Sequence, residues 1–275
     1  MNKGLAIITV NFENYQVTQD FLTCFRKLRA NFKIFISDLS VKQEKLTGDK
    51  QKLEVIREKN KGYAYGVNLA IKKALEQGFN QFVVINNDSR VNATFVRNVI
   101  KSINRQPGSI IGGKIYYEKN YEYHQNRYRP KDLGKVIWYA GGEIDWNNVF
   151  IKHRGVDLVD QGQYDTPQKT DFVTGCLMFF DKSVVDKVGF WDESYFLYYE
   201  DADYCERAKR KGIRLLYDPS VVIWHKNAQS TEGAGSLFHQ KYQNVNRLKF
   251  GLKYAPLKTK IHLIKNLFFK LPYGQ

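Results

Sequence analysis

The sequence predicts an α/β fold: a Rossmann-like, mostly parallel sheet flanked by helices, with a C-terminal amphipathic helical tail. Three observations carry this expectation. Short apolar runs alternate with helical patterns through the first hundred residues. Asn, Asp and Gly stand directly after the apolar runs. Residues 251–275 combine an apolar stripe with lysines.

The elements follow in order. Leu5–Val10 reads as a buried strand, Val17–Leu28 as a helix, and Lys33–Ser37 and Leu53–Arg57 as a second and a third strand. Ala64, Val67, Ile71, Ala74 and Leu75 make a helical stripe along Ala64–Glu76, before a fourth strand at Phe82–Ile85 and a helix at Thr94–Ile103. This β-α-β-β-α-β order is that of a mostly parallel sheet covered by helices, in which ligands bind beyond the carboxyl ends of the strands. From Tyr116 to Asp171 the pattern loosens into Tyr-, Gly- and polar-rich chain with a Trp-Tyr-Ala-Gly-Gly run at 138–142, the mark of a partly strand-forming binding surface. Phe172–Phe180 reads as an apolar strand broken by Gly175, and Val184–Gly189 as a short helix. The aromatic stretch Tyr195–Tyr199 leads into a helix running to Lys211, and Val221–Trp224 is a further strand. The chain divides into two halves of one domain, 1–115 and 116–250, and a basic tail, 251–275.

Hydrophobic residues at 43% and charged ones at 26% exclude a disordered chain, and 275 residues suffice for a substantial core. Aromatic residues reach 15%, enough to furnish platforms for flat apolar ligand faces as well as packing. The net charge of +15 is unevenly placed: Glu232 is the last acidic residue, and eight basic ones follow it, from Lys241 to Lys270. Such a tail suits a polyanion, either nucleic acid or an anionic membrane, or is a solvated face. Cys24, Cys176 and Cys205 form no CxxC pair and read as free thiols of a reducing compartment. The opening apolar run is too short for a signal peptide and no stretch approaches a spanning helix, so a cytoplasmic location is expected.

Four strand ends carry polar groups: Asn11, Asp38, Asn60-Lys61-Gly62 and Asn86-Asn87-Asp88. Each alone is explained by a turn or cap; converging on one edge, they point to a nucleotide site. Asp88 stands where a carboxylate leaves the sheet edge, and Mg²⁺ or Mn²⁺ needs only one or two carboxylates when diphosphate oxygens supply the rest. Asp201 shares a helix face with Cys205 and Ala208, so it is either a helix N-cap or an inward-facing, partly desolvated general base. His225 follows a strand and either completes a metal site at the edge of Asp88 or is a hydrogen-bonded structural group.

Together these pieces resemble the family 2 glycosyltransferases of the GT-A fold, particularly bacterial rhamnosyl- and galactofuranosyl-type members. The matching residues are Ile7–Asn11, Asp38, Asn60–Asn68, Ile85–Asp88, Val173–Met178, Gly189–Glu193, Glu200–Asp203 and Trp224–His225, in the family's order. The resemblance implies that the first half binds the nucleotide sugar and the second holds the acceptor and the catalytic groups. It implies that Val10, Asn11 and Asp38 hold a pyrimidine and ribose, helped by Asn60, Gly62, Asn86 and Asn87. It further implies metal binding by Asp88 and His225, contact with donor or acceptor sugar by Gly175, Cys176, Trp191 and Glu200, and base catalysis by Asp201. Asn68, on the apolar stripe of its helix, is expected to bond a neighbouring loop. Two departures stand out: Asn86 replaces the first acidic residue of a DxD-like motif, and Asp38-Leu39-Ser40 lacks the usual Asn after the Asp. The implied reaction is a metal-dependent, inverting transfer of rhamnose, galactofuranose or a hexose from a UDP- or dTDP-sugar to a saccharide or polyprenyl-linked saccharide.

In the tail, Leu257, Ile261, Ile264, Phe268 and Leu271 keep helical spacing among Lys258, Lys260, Lys265 and Lys270 up to Pro272. This fits a helix on an anionic membrane, here the inner face of the plasma membrane, or one docked on its own domain. A nucleic-acid-binding module would exploit the same charge but has no use for carboxylates at successive strand ends. A sugar nucleotidyltransferase would carry a Gly-rich, Arg-containing loop where this chain has Asn11–Tyr15.

Overall fold

The structure is a computed structural model that describes residues 3–226 and 237–269, with side chains described for 3–226 and 240–266. The strands are β1 (Leu5–Asn11), β2 (Phe32–Asp38), β3 (Leu53–Arg57), β4 (Gln81–Ile85), β5 (Ser89–Val91), β6 (Ser109–Tyr117), β7 (Ile137–Tyr139), β8 (Gly142–Asp145), β9 (Phe150–His153), β10 (Gln168–Lys169), β11 (Leu177–Asp181) and β12 (Arg214–His225). The α-helices are α1 (Tyr15–Phe25), α2 (Tyr63–Glu76), α3 (Phe95–Arg105), α4 (Lys182–Val188), α5 (Glu200–Arg210), α6 (Leu237–Tyr254) and α7 (Leu257–Phe269).

One twisted sheet organises the chain in the order β10-β12-β6-β11-β4-β1-β2-β3, with β8 and β9 as a separate hairpin. Strands β3, β2, β1 and β4 run parallel, as do β6 and β12, and β11 enters antiparallel between β4 and β6. The fold class therefore stands as expected. Strands β1 and β4 are largely apolar on both faces and buried except at Val10, as a sheet covered by helices demands. Helix α2 buries Ala64, Val67, Ile71 and Ala74 of the stripe read from the sequence, together with Ala70, while Leu75 is half-buried.

Several boundaries differ for identifiable reasons. The apolar run Phe172–Phe180 is not one strand: β11 begins only at Leu177, because Leu177 N–H bonds back to Thr174 O and turns the chain at Gly175. Helix α1 ends at Phe25, three residues short, once the Arg26 and Leu28 N–H groups bond to Thr23 and Phe25 carbonyls. Strand β12 is far longer than Val221–Trp224, since a bulge between Asp218 and Val222 lets it continue past Pro219. Strand β6 and helix α6 were not foreseen. The two halves share one sheet, so the division at 115/116 falls within β6, and the tail boundary at 251 falls within α6.

Helix α7 docks on the domain through Thr259 and Leu263, while Leu257, Ile261 and Ile264 face outward, with Leu257 73% exposed. The apolar stripe is thus not the docking face. The Phe268 side chain, Lys270, Leu271 and Pro272 lie outside the described residues. Among the described residues no helix is long and apolar enough to cross a membrane.

Candidate active site

A cavity of about 990 Å³ opens at the carboxyl ends of β1, β2 and β4, and its far wall comes from the β8–β9 hairpin, the loop before β11 and the loop before α5. Val10, Asn60, Gly62, Asn86, Asn87, Asp88, Gly175, Cys176, Glu200, Asp201 and His225 all line it. The parallel sheet thus brings residues scattered over two hundred positions to one edge.

The nucleotide-side floor is held by a hydrogen-bond relay. Asn87 Nδ2 donates to Thr18 Oγ1, Thr18 Oγ1 to Asn11 Oδ1, and Asn11 Nδ2 to Asp38 Oδ1, while the Tyr15 hydroxyl donates to Asp38 Oδ2. Ser40 Oγ accepts from Asn11 Nδ2 and from Glu13 N–H, so the position after Leu39 supplies polar contacts at the departure from the usual motif. Asn11 and Asp38 are fully buried and lie beneath the floor, while Val10 and Leu39 form the cavity surface above them.

Gly62 has φ +106, and a Cβ there would stand 2.4 Å from Phe196 O, so the approach of this loop requires glycine. The adjacent Tyr63 ties three parts of the site together. Its N–H donates to Phe196 O, and its hydroxyl lies within hydrogen-bond distance of Asn86 Oδ1 (3.0 Å) and Gly175 O (3.2 Å). Burial and nearby acidic groups, Cys176 and Glu200 foremost among them, push its phenol well above the ordinary range, so it stays a hydroxyl donor.

At the metal-type position, His225 Nε2 is 3.1 Å from Asp88 Oδ1, with both side chains buried. Burial alone would depress the imidazole, but the Asp88 carboxylate outweighs it, and Cys176 adds to the rise, so His225 titrates well above its usual value. One carboxylate and one imidazole form an N/O donor pair suited to Mn²⁺ or Mg²⁺. No cluster of three or more His, Cys, Asp or Glu able to hold a metal occurs among the described residues. A cation held by this pair would need its further ligands from outside these side chains.

Asp201 sits in the first turn of α5, whose N-cap is Tyr199, so it is not the cap. Its Oδ2 accepts from Gly175 N–H and its Oδ1 from Ala202 N–H, both at 2.8 Å. Desolvation raises its pKa from 3.8 to about 6 against these two bonds. The neighbouring Glu200 is pushed well above the carboxylate range by burial and then by the Asp201 charge, and its Oε2 is buried without a hydrogen-bond partner among the described residues. Both adjacent carboxyls are thus raised, Asp201 to about 6 and Glu200 well above its ordinary value.

The turn that aims them is strained. Tyr198 and Tyr199 both have φ 68, a left-handed conformation that costs aromatic residues about 1–3 kcal/mol each. Asn246 on α6 holds it by donating through Nδ2 to Leu197 O (2.8 Å) and Tyr198 O (3.1 Å). Asp203, buried in the same helix, binds Arg207, Lys253 and Tyr254, which fixes α6 against α5.

Trp191 does not line the cavity. It packs behind Gly175, stacked on Tyr204 at 5.4 Å and edge-on to Tyr63 at 6.2 Å. Asn68 holds this segment as expected, pairing with both the N–H and the carbonyl of Trp191. Sequence reading missed Tyr63, Leu39, Trp138, His153 and Phe172 as cavity residues. Tyr63 and Leu39 stand within motifs quoted above and Trp138 in the Trp-Tyr-Ala-Gly-Gly run, whereas His153 had no signal.

Comparison with known proteins agrees with this architecture. Residues 41–246 match the family model described as "Glycosyltransferase like family 2". A low-salt glycan biosynthesis hexosyltransferase of Haloferax volcanii is 24% identical over 57% of this chain and 46% of its own length. A dTDP-rhamnosyl transferase of Shigella flexneri is 24% identical over 61% and 49% respectively. This chain therefore spans about half the length of these curated relatives. Among solved structures, GalNAc-T7 with UDP, GalNAc and Mn²⁺ superposes with a TM-score of 0.69 at 14% identity, covering all of this chain and 52% of that one. The mannosyltransferase PcManGT from Pyrobaculum calidifontis, in complex with GDP-Man and Mn²⁺, gives a TM-score of 0.54 at 12% identity, over 99% and 71%. The structural likenesses establish a GT-A fold, and the family match covers most of the sequence: the chain belongs to the glycosyltransferase-like family 2.

Proposed function

We propose that this protein is an inverting, metal-dependent glycosyltransferase that moves a sugar from a UDP- or dTDP-sugar onto a saccharide or lipid-linked saccharide in the synthesis of cell-surface polysaccharide. The observation that carries the reading is one cavity holding both a desolvated carboxylate fixed by a backbone N–H, Asp201, and a buried Asp88–His225 pair at the sheet edge. The names of the relatives support a rhamnose or hexose as the transferred group.

In this reading the pyrimidine rests on Val10 and Leu39, above the Asn11–Asp38 relay, and the loop at Asn60–Gly62 passes the ribose. Asp88 and His225, the latter as the neutral imidazole, would hold the cation, which would supply Lewis-acid neutralisation of the diphosphate. Asp201 removes the proton of the acceptor hydroxyl as that oxygen attacks the anomeric carbon. The bond from that carbon to the diphosphate oxygen breaks with its electron pair, and attack from the opposite face inverts the centre. Glu200 and the Gly175–Cys176 loop border the reacting sugars.

The protein acts at the inner face of a membrane. The outward stripe of α7, with Lys258 and Lys265 exposed beside it, has the composition of an interfacial helix. Incubation with a panel of UDP- and dTDP-sugars, Mn²⁺ and bacterial lipid-linked saccharides tests the reading. The expected product carries an anomeric configuration opposite to that of the donor, read by the NMR coupling at its anomeric carbon. Retention of configuration, or undiminished transfer in EDTA, refutes it.

A further inference from the structure

The wall of the cavity opposite the nucleotide floor contains a histidine that the mechanism above does not use. His153 ends strand β9, where it pairs with Gly142 across the hairpin, and the flanking Arg154 exchanges backbone bonds with Ala140 and Gly141. The ring is fixed as firmly as the backbone. It meets the edge of Trp138 at 4.4 Å and of Tyr139 at 5.2 Å, and lies parallel to Phe172 at 6.2 Å. Trp138 in turn meets His225 at 4.7 Å, so only one indole separates His153 from the metal-type pair.

The hydrogen bonding determines the tautomer. His153 Nδ1 lies 3.1 Å from Trp138 O, and a carbonyl oxygen only accepts, so Nδ1 carries the proton. A neutral ring then has its lone pair on Nε2. Burial supports neutrality: desolvation pulls His153 down to about 4, against the bond to Trp138 O, which favours the charged ring. Among the described residues Nε2 has no hydrogen-bond partner, yet it is not one of the sealed polar atoms of the interior, and the ring lines the cavity.

A fixed, neutral acceptor among apolar rings recognises a group that donates, an O–H or an N–H. In a site for glycosyl transfer that group is a sugar hydroxyl, with the rings of Trp138 and Phe172 covering apolar C–H faces of the same sugar. We propose that His153 Nε2 accepts a hydrogen bond from a hydroxyl of the donor or acceptor sugar and so sets which sugar the cavity takes. This rests on the glycosyltransferase reading only for the word sugar; the tautomer and the acceptor role follow from geometry.

Two measurements test it. ¹⁵N-histidine NMR at neutral pH, assigned with His153→Phe, is expected to show His153 with a protonated Nδ1 and an unprotonated Nε2. An Nε2–H tautomer or an imidazolium overturns the proposal whatever the enzyme's activity. Calorimetry then compares UDP with UDP-glucose, UDP-galactose and dTDP-rhamnose in Mg²⁺, using wild type and His153→Phe, which keeps a ring in place. If the hydroxyl belongs to the donor, the variant binds UDP normally but loses on the order of tenfold in affinity for the sugar nucleotide alone, the worth of one hydrogen bond. If it belongs to the acceptor, donor binding is unchanged and the acceptor KM rises by a similar factor. Unchanged donor affinity with unchanged acceptor KM overturns the proposal. Failure of wild type to bind any nucleotide would instead count against the function proposed above.

Discussion

Replacing Asp201 with Asn separates chemistry from binding. The substitution preserves shape, but the carboxylate now accepts two backbone N–H groups, from Gly175 and Ala202. An amide can accept one and turns its NH₂ toward the other, an unmet donor worth about 1–3 kcal/mol. An opposing effect follows from the raised pKa. Because the folded state binds the Asp201 proton more tightly than the unfolded chain, its stabilising contribution is present at low pH and lost as pH rises through about 6. A neutral Asn avoids that loss at pH 7, so the two effects offset each other and Tm should move by only a few degrees. Activity should not survive. Loss of a positioned general base costs roughly 10²–10⁴ in rate, or about 3–5 kcal/mol in the barrier. The assay is nucleoside diphosphate release in the presence of acceptor, beside calorimetry of UDP or dTDP with Mn²⁺. The expected result is kcat reduced by at least about a hundredfold with the nucleotide Kd within about twofold of wild type. Near-normal turnover, or nucleotide binding lost in step with turnover, refutes the assignment.

Three further outcomes follow from the same geometry. If Asp201 is the base it must be ionised, so kcat/KM should rise with pH up to about 6 and level above it; a plateau beginning near 4 would count against that role. Asn246→Ala removes both bonds that hold the left-handed Leu197–Tyr199 turn, and thermal melts should show a loss of about 1–3 kcal/mol, with kcat falling more than nucleotide affinity. Changing Leu257, Ile261 and Ile264 together to Gln should leave Tm unchanged, since all three face outward. If this face binds membrane, the same change should weaken sedimentation with anionic vesicles by on the order of 1 kcal/mol for each side chain that inserts, and unaltered binding would count against the membrane role.

The parts of this molecule that are simple in physical terms were legible in its sequence. Buried parallel strands are runs of apolar residues, so β1 and β4 announce themselves, and the polar groups after them sit at the sheet edge by topology alone. Asp88 and His225 were reachable on that basis, Asp201 from its place on the inward face of a helix, and Asn68 as a residue bonding a neighbouring loop. Strand β6 was not, because Gly112 and Gly113 depress strand propensity. Yet a Cβ at Gly113 would stand 2.5 Å from Val221 O, so close packing against β12 demands the residue that hides the strand. The aromatic wall was invisible for another reason. Trp138, His153 and Phe172 converge through β7, the β8–β9 hairpin and the turn before β11, whose pairings carry no local periodicity. Trp191 shows the reverse error: it stands in a motif shared with the family, yet it supports Gly175 from behind rather than facing the cavity.

The central claim is that one cleft binds a pyrimidine nucleoside diphosphate through a cation held by Asp88 and His225. Thermal unfolding with UDP, dTDP and GDP, each with and without Mn²⁺, in wild type and Asp88→Asn, tests it most directly. The expected result is stabilisation by UDP or dTDP only with Mn²⁺, about 2.7 kcal/mol at a hundredfold excess over Kd, and absent in the variant. Equal stabilisation without the metal or in Asp88→Asn, or stabilisation by GDP alone, would contradict it.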